Sequence, residues 1–347
     1  VHKFILLLKL DTFTETLGTF FMNDFRTELT PARSAIPLNG KDRILTIGSC
    51  FADSIGNRLA ENKFKVWRNR LGAVYNPVSI HHLLGLFLEN ELPSPDSYLE
   101  NDGVWFNYHF HSSVSAMTRE ELENKVNESI SEANSFVKSA SRVIITYGTA
   151  FVYRLKANDQ LVANCHKVPS GNFSKDFLSQ EDIVKSFLSF HSKLHNLNPD
   201  CKIILTVSPV RHLKDTLELN AVSKSILRLA CHSLANQFPN VEYFPAYEIL
   251  LDDLRDYRFY KTDRLHPTEE AVDYIWEKFL TSFVDEPTQQ FISLWKEIAK
   301  DLAHKPFHPQ SERHQKFLSQ LLQKLESLQP SVDVSLEIQK VKQEIRF

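Results

Sequence analysis

The stretch Arg43-Ile44-Leu45-Thr46-Ile47-Gly48-Ser49-Cys50-Phe51-Ala52 decides the fold. Its apolar half reads as a short buried strand, and the glycine at the strand's end lets the chain turn sharply without a Cβ clash. Beyond the turn Phe51, Ile55 and Leu59 recur at helical spacing. A helix starting there points unpaired N–H groups and its positive dipole end back at the turn, where they aim and activate a thiol or hydroxyl.

Working outward, similar apolar runs recur at Phe64–Trp67, Val143–Tyr147, Ile203–Val207 and Val241–Phe244. Helical patterns lie between and after them, at Pro77–Asn90, Thr118–Ala140, Gln180–His195, Leu219–Phe238 and Pro267–Phe283, with Thr118 and Glu121 spaced as a capping box. Strands alternating with helices predict an α/β fold, a three-layer α/β/α sandwich around a parallel sheet of about five strands. Ligands in such sheets gather at the carboxyl ends of the strands, where Gly48, Gly72, Gly148 and Ser208 fall. Glycine is scarce, 9 in 347 residues, so each of these positions carries information.

Two segments interrupt the alternation. Tyr98 to His111 carries Asn101-Asp102-Gly103, a strong hairpin signal, and Phe151 to Cys165 reads as a second hairpin around Asn158-Asp159. Their rings (Trp105, Phe106, Tyr108, Phe110, Phe151, Tyr153) are read mostly as packing, with one or two left to face a substrate. After about Val284 only helical patterns remain, at Gln289–Ala303, Arg313–Leu328 and, more weakly, beyond Pro330. The expected organisation is an extension over residues 1 to 21 ahead of a native start at Met22, a catalytic domain over 22–284, and a helical extension over 285–347 that packs on the domain or pairs two copies into a homodimer.

Far downstream, Asp263-Arg264-Leu265-His266-Pro267 sets a carboxylate and an imidazole on one loop before a helix that Pro267 can open at its first position. The carboxylate can hold one ring nitrogen of His266 and fix the tautomer, so that the other ring nitrogen takes a proton from a nucleophile. Two nucleophiles compete, Ser49 and Cys50. The sequence resembles the SGNH hydrolase superfamily, whose first block reads Gly-Asp-Ser at the end of the first strand and whose last reads Asp-x-x-His. More closely, Gly48-Ser49-Cys50-Phe51-Ala52 spells the signature of the GSCFA family. The resemblance, over about residues 23 to 310, sets Ser49 under the superfamily's Asp and Cys50 under its nucleophilic Ser, and gives Asp263 and His266 the relay roles. It implies an oxyanion donor at Gly72, and alanine at 150 stands where the superfamily carries an asparagine; the N–H of Cys50 then offers the second donor, with Thr149 or Asn76 adding a side chain. Asn164-Cys165-His166-Lys167 and Ser208-Pro209-Val210-Arg211-His212 resemble further GSCFA segments, which makes Asn164, His166, Lys167 and Arg211 candidates for binding substrate.

Composition narrows the class. A chain 42% apolar with net charge -3 and no long basic run predicts neither nucleic-acid binding nor a strong surface field. The N-terminal run Phe4–Leu8 is too short to span a membrane, so the expectation is a cytoplasmic protein with no membrane role. Four scattered cysteines form no Cys-x-x-Cys pair, and His109-x-His111 lacks the pairing of a closed zinc site and, read on a strand, shares one face for packing alone, so neither a metal nor a cofactor is expected. The expected activity is hydrolysis of an acyl ester, with an acylated carbohydrate as substrate by superfamily analogy. The alternatives are acyl transfer through a Cys acyl-enzyme and a non-catalytic glycan- or metabolite-binding domain.

Overall fold

The computed structural model describes residues 27–345. Five parallel strands form the central sheet: β1 (Arg43–Gly48), β2 (Lys65–Arg68), β5 (Arg142–Tyr147), β9 (Lys202–Val207) and β10 (Val241–Phe244), in spatial order β2-β1-β5-β9-β10. The hairpin strands β3 (Tyr98–Asn101) and β4 (Val104–Asn107) stand apart, as does a three-stranded sheet of β6 (Phe151–Leu155), β7 (Leu161–Val162) and β8 (Phe173–Phe177). The sequence pattern missed β8. Three of its five residues are polar or charged and only Phe173 is buried, so it carries little of a core strand's apolar signal.

Strand periodicity divides the sheet's side chains between two cores. Leu45, Ile47, Val143, Ile145, Ile203 and Leu205 face a layer built by α2 (Pro77–Glu89), α3 (Arg119–Val137), α4 (Gln180–Leu197) and α5 (Leu217–Gln237). Ile44, Ile144 and Ile204 face the opposite layer, where Phe51 and Ile55 of α1 (Cys50–Glu61) meet Ile275 and Phe279 of α7 (Glu269–Phe283). The short α6 (Ala246–Glu248) runs into a π-helical turn, Ile249–Asp253. The three-layer expectation is met, and so is the first hairpin: Asp102 (φ 53°) and Gly103 (φ 74°) both take the left-handed conformation that a tight two-residue turn needs.

Three local expectations are corrected. Pro267 does not open α7; Thr268 caps it, accepting from the Ala271 N–H, while Pro267 pairs in a bridge with Tyr260. Thr118 caps α3 through the Glu121 N–H, whereas the reciprocal capping box belongs to Ser179 and Asp182 of α4. His109 and His111 lie past the end of β4, not on a strand. The C-terminal helices α8 (Glu286–Ala303), α9 (Glu312–Leu328) and α10 (Ser335–Glu344) share a core of Trp295, Ile298, Leu318, Leu325 and Val341. They dock on the far end of α1: Trp295 Nε1 donates to the Glu61 carbonyl at 2.7 Å, and Lys63 pairs with Glu337 at 2.7 Å. The expected N-terminal extension, residues 1 to 21, lies outside the described residues, among which no helix is long and apolar enough to cross a membrane.

Candidate active site

Counting only the sheet strands, the order is 2-1-3-4-5, so the connections diverge between β1 and β5, the place beyond the strands' carboxyl ends where sheets of this kind bind ligands. Gly48 ends β1 there with φ 135°, and a Cβ on it would lie 2.1 Å from the Thr146 carbonyl oxygen. Only glycine lets the chain turn this close to β5, and the next amide, Ser49 N–H, bonds that same oxygen at 3.0 Å.

Cys50 is the first residue of α1, and Ser49 is its N-cap. The two side chains differ sharply. Ser49 is 1% exposed, its Oγ has no partner and it makes no capping bond, while Cys50 is half-buried. Burial pushes the Cys50 thiol up and the nearby Asp53 carboxylate adds to this, whereas the Cys50 and Phe51 amides and the Lys224 ammonium pull it down. Burial also raises Tyr75, reinforced by the charges of Cys50 and Asp53. The expectation from the helix terminus alone was a lowered thiol. Desolvation outweighs the amides and the ammonium.

Asp263 and His266 meet as the sequence indicates: His266 Nδ1 lies 2.7 Å from Asp263 Oδ2. The other oxygen, Oδ1, accepts from the Leu265 N–H at 2.8 Å and the His266 N–H at 3.0 Å. These two amides, followed by the imidazole, hold the Asp263 carboxyl far below the usual carboxylate range. Both side chains remain 44% exposed. Among the described residues no hydrogen bond joins His266 to Cys50 or Ser49. Lys224 and His212, which the sequence did not single out as site residues, interact electrostatically with the two halves. Burial lowers His212 to about 4, helped by the charges of Lys224 and His266, and Lys224 in turn interacts with Cys50. Lys224 was legible as a lysine on the buried stripe of α5 that carries Leu227, Cys231 and Leu234.

The remaining candidates separate. Gly72 has φ 79° and lies so close to His111 that a Cβ would come within 2.4 Å of the histidine's own Cβ; its N–H makes only a long 3.4 Å bond to the Asn69 carbonyl. Asn76 Oδ1 accepts from the Ser79 N–H as the cap of α2, which leaves its NH2 as the group it has to offer. Thr149 has both its groups engaged, its amide on the Tyr75 carbonyl at 3.1 Å and its hydroxyl with Ser223 Oγ at 3.1 Å and the Phe151 N–H at 3.2 Å. His166 is 3% exposed, with Nε2 2.7 Å from the Asn107 carbonyl and Nδ1 3.3 Å from Ser112 Oγ, and Asn164 caps its amide. Both therefore brace the hairpin from within. Lys167 is exposed beside them. Arg211 stacks over Tyr260 at 4.0 Å and Tyr257 at 5.2 Å, and its N–H donates to the Leu265 carbonyl next to His266. It lines a cavity of about 340 Å³ with Asp252 and Arg255. Among the described residues no cluster of three or more His, Cys, Asp or Glu side chains could hold a metal.

The family model described as the GSCFA family matches residues 43–279, from the first residue of β1 into α7. The chain belongs to the GSCFA family. A second model, the C-terminal domain of GSCFA domain proteins, matches residues 295–346. No curated protein matches this GSCFA chain. Among solved structures it is similar to one from Streptococcus pneumonia, described provisionally as a platelet activating factor, with 12% identity, 70% of this chain and 83% of the other covered, and a TM-score of 0.37. A likeness at that level carries no functional argument.

Proposed function

We propose that this GSCFA domain hydrolyses an acyl ester, with Cys50 as nucleophile, His266 as its base and then acid, and Asp263 as the group that orients the imidazole, in the manner of SGNH hydrolases. The reading rests chiefly on the 2.7 Å Asp263–His266 bond. It fixes Nδ1–H toward the carboxylate and leaves Nε2 as the acceptor. The half-buried Cys50, first in α1 just past the end of β1, supplies a reachable thiol, whereas the 1% exposure of Ser49 argues against attack from its hydroxyl.

In the reaction, Sγ bonds to the ester carbonyl carbon while His266 takes the thiol proton. The C–O bond to the alcohol then breaks, with that proton passing to the leaving oxygen. Water, deprotonated by His266, then bonds to the thioester carbonyl carbon; the C–Sγ bond breaks, the proton passes from His266 to Sγ, and the acid leaves with the thiol restored. The raised thiol suits proton removal during attack rather than a thiolate standing ready. The cavity beside Arg211, walled by tyrosines and charged groups, is the place we assign to the alcohol portion, with an acylated sugar as the candidate.

Turnover of a panel of aryl acetates, longer acyl esters and acetylated sugars tests this, read with wild type and Cys50→Ala. Wild-type turnover lost in Cys50→Ala, with an acyl adduct on the Cys50 peptide, is the expected result. The absence, among the described residues, of a hydrogen bond from His266 to Cys50 favours the alternative of a non-catalytic glycan-binding domain. That alternative is adopted if wild type turns over no ester yet binds a glycan equally well with and without the thiol.

A further inference from the structure

The cavity beside Arg211 carries a charge balance that the ester chemistry does not use. Its walls come from the segments that follow two neighbouring strands. Arg211 lies just past β9, and the rest lies beyond β10, in and around the π-helical turn Ile249–Asp253 and the single 3-10 turn Tyr257–Phe259. Both walls are tied to the loop that carries His266. The Arg211 N–H donates to the Leu265 carbonyl at 3.2 Å, and Tyr260 pairs in a bridge with Pro267. A ligand in this space of about 340 Å³ therefore lies against that loop.

Rings, not acids, hold the guanidinium of Arg211. Its Cζ stands 4.0 Å over the Tyr260 ring and 5.2 Å from the centre of the Tyr257 ring, and Tyr260 is buried. Ring stacking engages none of the in-plane N–H donors, and the Tyr260 hydroxyl leaves most of them over for a ligand.

The carboxylates of the lining do not neutralise this charge. Asp256 is occupied within its own turn: Oδ1 accepts from the Arg258 N–H at 2.8 Å, and Oδ2 pairs with the Arg258 guanidinium at 3.3 Å. Among the described residues neither Asp252 nor Asp256 forms an ion pair with Arg211 or with Arg255, the other guanidinium of the lining. Within the lining, Asp252 is left to face Arg211 and Arg255. A neutral sugar would use the tyrosines and give the guanidiniums nothing to balance.

We propose that this cavity takes an anionic group, a phosphate or a carboxylate, carried on the alcohol portion of the substrate and bound by the Arg211 fork, so that the substrate class is an acidic acyl sugar. The inference rests on the hydrolase reading above for what is turned over, but not for what binds.

Binding of glucose, glucose 6-phosphate and glucuronate to the full chain is measured by calorimetry, which needs no ester. At least one anionic sugar should bind about tenfold or more tightly than glucose at low salt, and added salt should erode that preference. The phosphate and carboxylate arms show which anion the cavity takes. In Arg211→Gln the preference should vanish. In Arg211→Lys it should fall below wild type, because a lysine restores the charge but not the fork. Should Arg211→Gln fail to fold, Asp252→Asn decides: this side chain is exposed, and removing its negative charge should raise the ratio of anionic to neutral affinity several-fold. Equal affinity for all three sugars in wild type, no binding of either anionic sugar, or a ratio unchanged in Arg211→Gln or, in its place, Asp252→Asn overturns the proposal. An Arg211-dependent preference with no turnover of any acetylated sugar would sink the hydrolase reading alone. Ester turnover with equal kcat/KM for acetylated forms of all three sugars would sink this inference alone.

Discussion

Replacing Ser49 by alanine sets two rules against each other. Ser49 occupies the N-cap of α1, and removing a capping serine ordinarily costs ~1 kcal/mol. That cost comes from a bond between the side-chain oxygen and a helix amide, and Ser49 makes none. Its Oγ is instead buried with no partner. An unsatisfied buried hydroxyl carries a desolvation penalty of about 1–3 kcal/mol, which the substitution lifts. Allowing for the small void left behind, Ser49→Ala should stabilise the fold by ~1 kcal/mol and raise the melting temperature by about 2 °C. Urea unfolding of both proteins at neutral pH measures this directly, and ester turnover on the same samples should be retained. A loss of ~1 kcal/mol would mean that Oγ caps α1 after all. Lost turnover with Cys50 still open to alkylation would return the nucleophile to Ser49.

Cys50→Ala should abolish ester turnover while leaving the urea midpoint close to wild type, since the side chain is only half-buried; residual turnover above background would refute its role. Asp263→Asn should lower turnover by roughly 10³-fold or more with little change in KM, because the imidazole loses the partner that fixes its tautomer. The Asp263 carboxyl is depressed, so any stability it lends is complete above its unfolded pKa and goes only as pH falls through the lower folded value. The pH profile of kcat/KM should therefore show no limb from this group between about pH 4 and 6, and such a limb lost in Asp263→Asn would contradict the assignment. His81, wholly buried between Ser186 and Tyr147, has its pKa lowered by burial from 6.5 to about 3. A depressed histidine favours the fold while neutral, so stability should fall as pH drops from 6.5 toward 3, by up to about 5 kcal/mol on this account. Urea titrations should show that slope flattened in His81→Gln, and an equal slope in both would refute the cause.

How much of this was legible depended on where the signal resides. The five sheet strands were readable because the central ones are buried on both faces and so appear as unbroken apolar runs, as in Val143-Ile144-Ile145. The hairpin at Asp102-Gly103 was readable because its turn demands a residue type. Asp263 and His266 were readable because both sit on one short loop, so that sequence spacing is also spatial spacing. The state of the Cys50 thiol was not, because it depends on burial and on groups from separate elements, Asp53, Tyr75 and Lys224. His166 misled for the same reason. A histidine beside a cysteine and a lysine suggests a ligand-binding edge until Asn107 and Ser112, distant in sequence, are seen to take both its nitrogens.

The alanine at position 150 bears on the oxyanion in a way that only packing makes plain. Ala150 is 0% exposed, and its amide bonds Ser223 Oγ at 2.7 Å, so β5 continues directly into contact with α5 where a third-block asparagine would need room. The adjoining amides are engaged as well, because the Tyr75 carbonyl accepts from both Gly148 and Thr149. That carbonyl ties the end of β5 to the loop carrying Gly72, and the same loop is tied to β1 by Val74 N–H on the Gly48 carbonyl at 2.9 Å. Such cross-ties hold the Cys50 turn and the glycine loop in one geometry, as a preorganised oxyanion site would require. They also remove β5 as a source of backbone donors, leaving the Cys50 and Phe51 amides of α1 and the weakly bonded Gly72 N–H. Gly72→Val is therefore the most direct probe of this assignment. Its side chain must enter where His111 already stands and take φ 79°, so it should destabilise the loop by ~1–3 kcal/mol and displace the amide together. Turnover should fall mainly in kcat, by roughly 10²-fold, because the contact strengthens only as negative charge develops on the oxygen. If the variant, folded and assayed well below its melting temperature, kept wild-type kcat, the oxyanion would have to be held by the α1 amides alone.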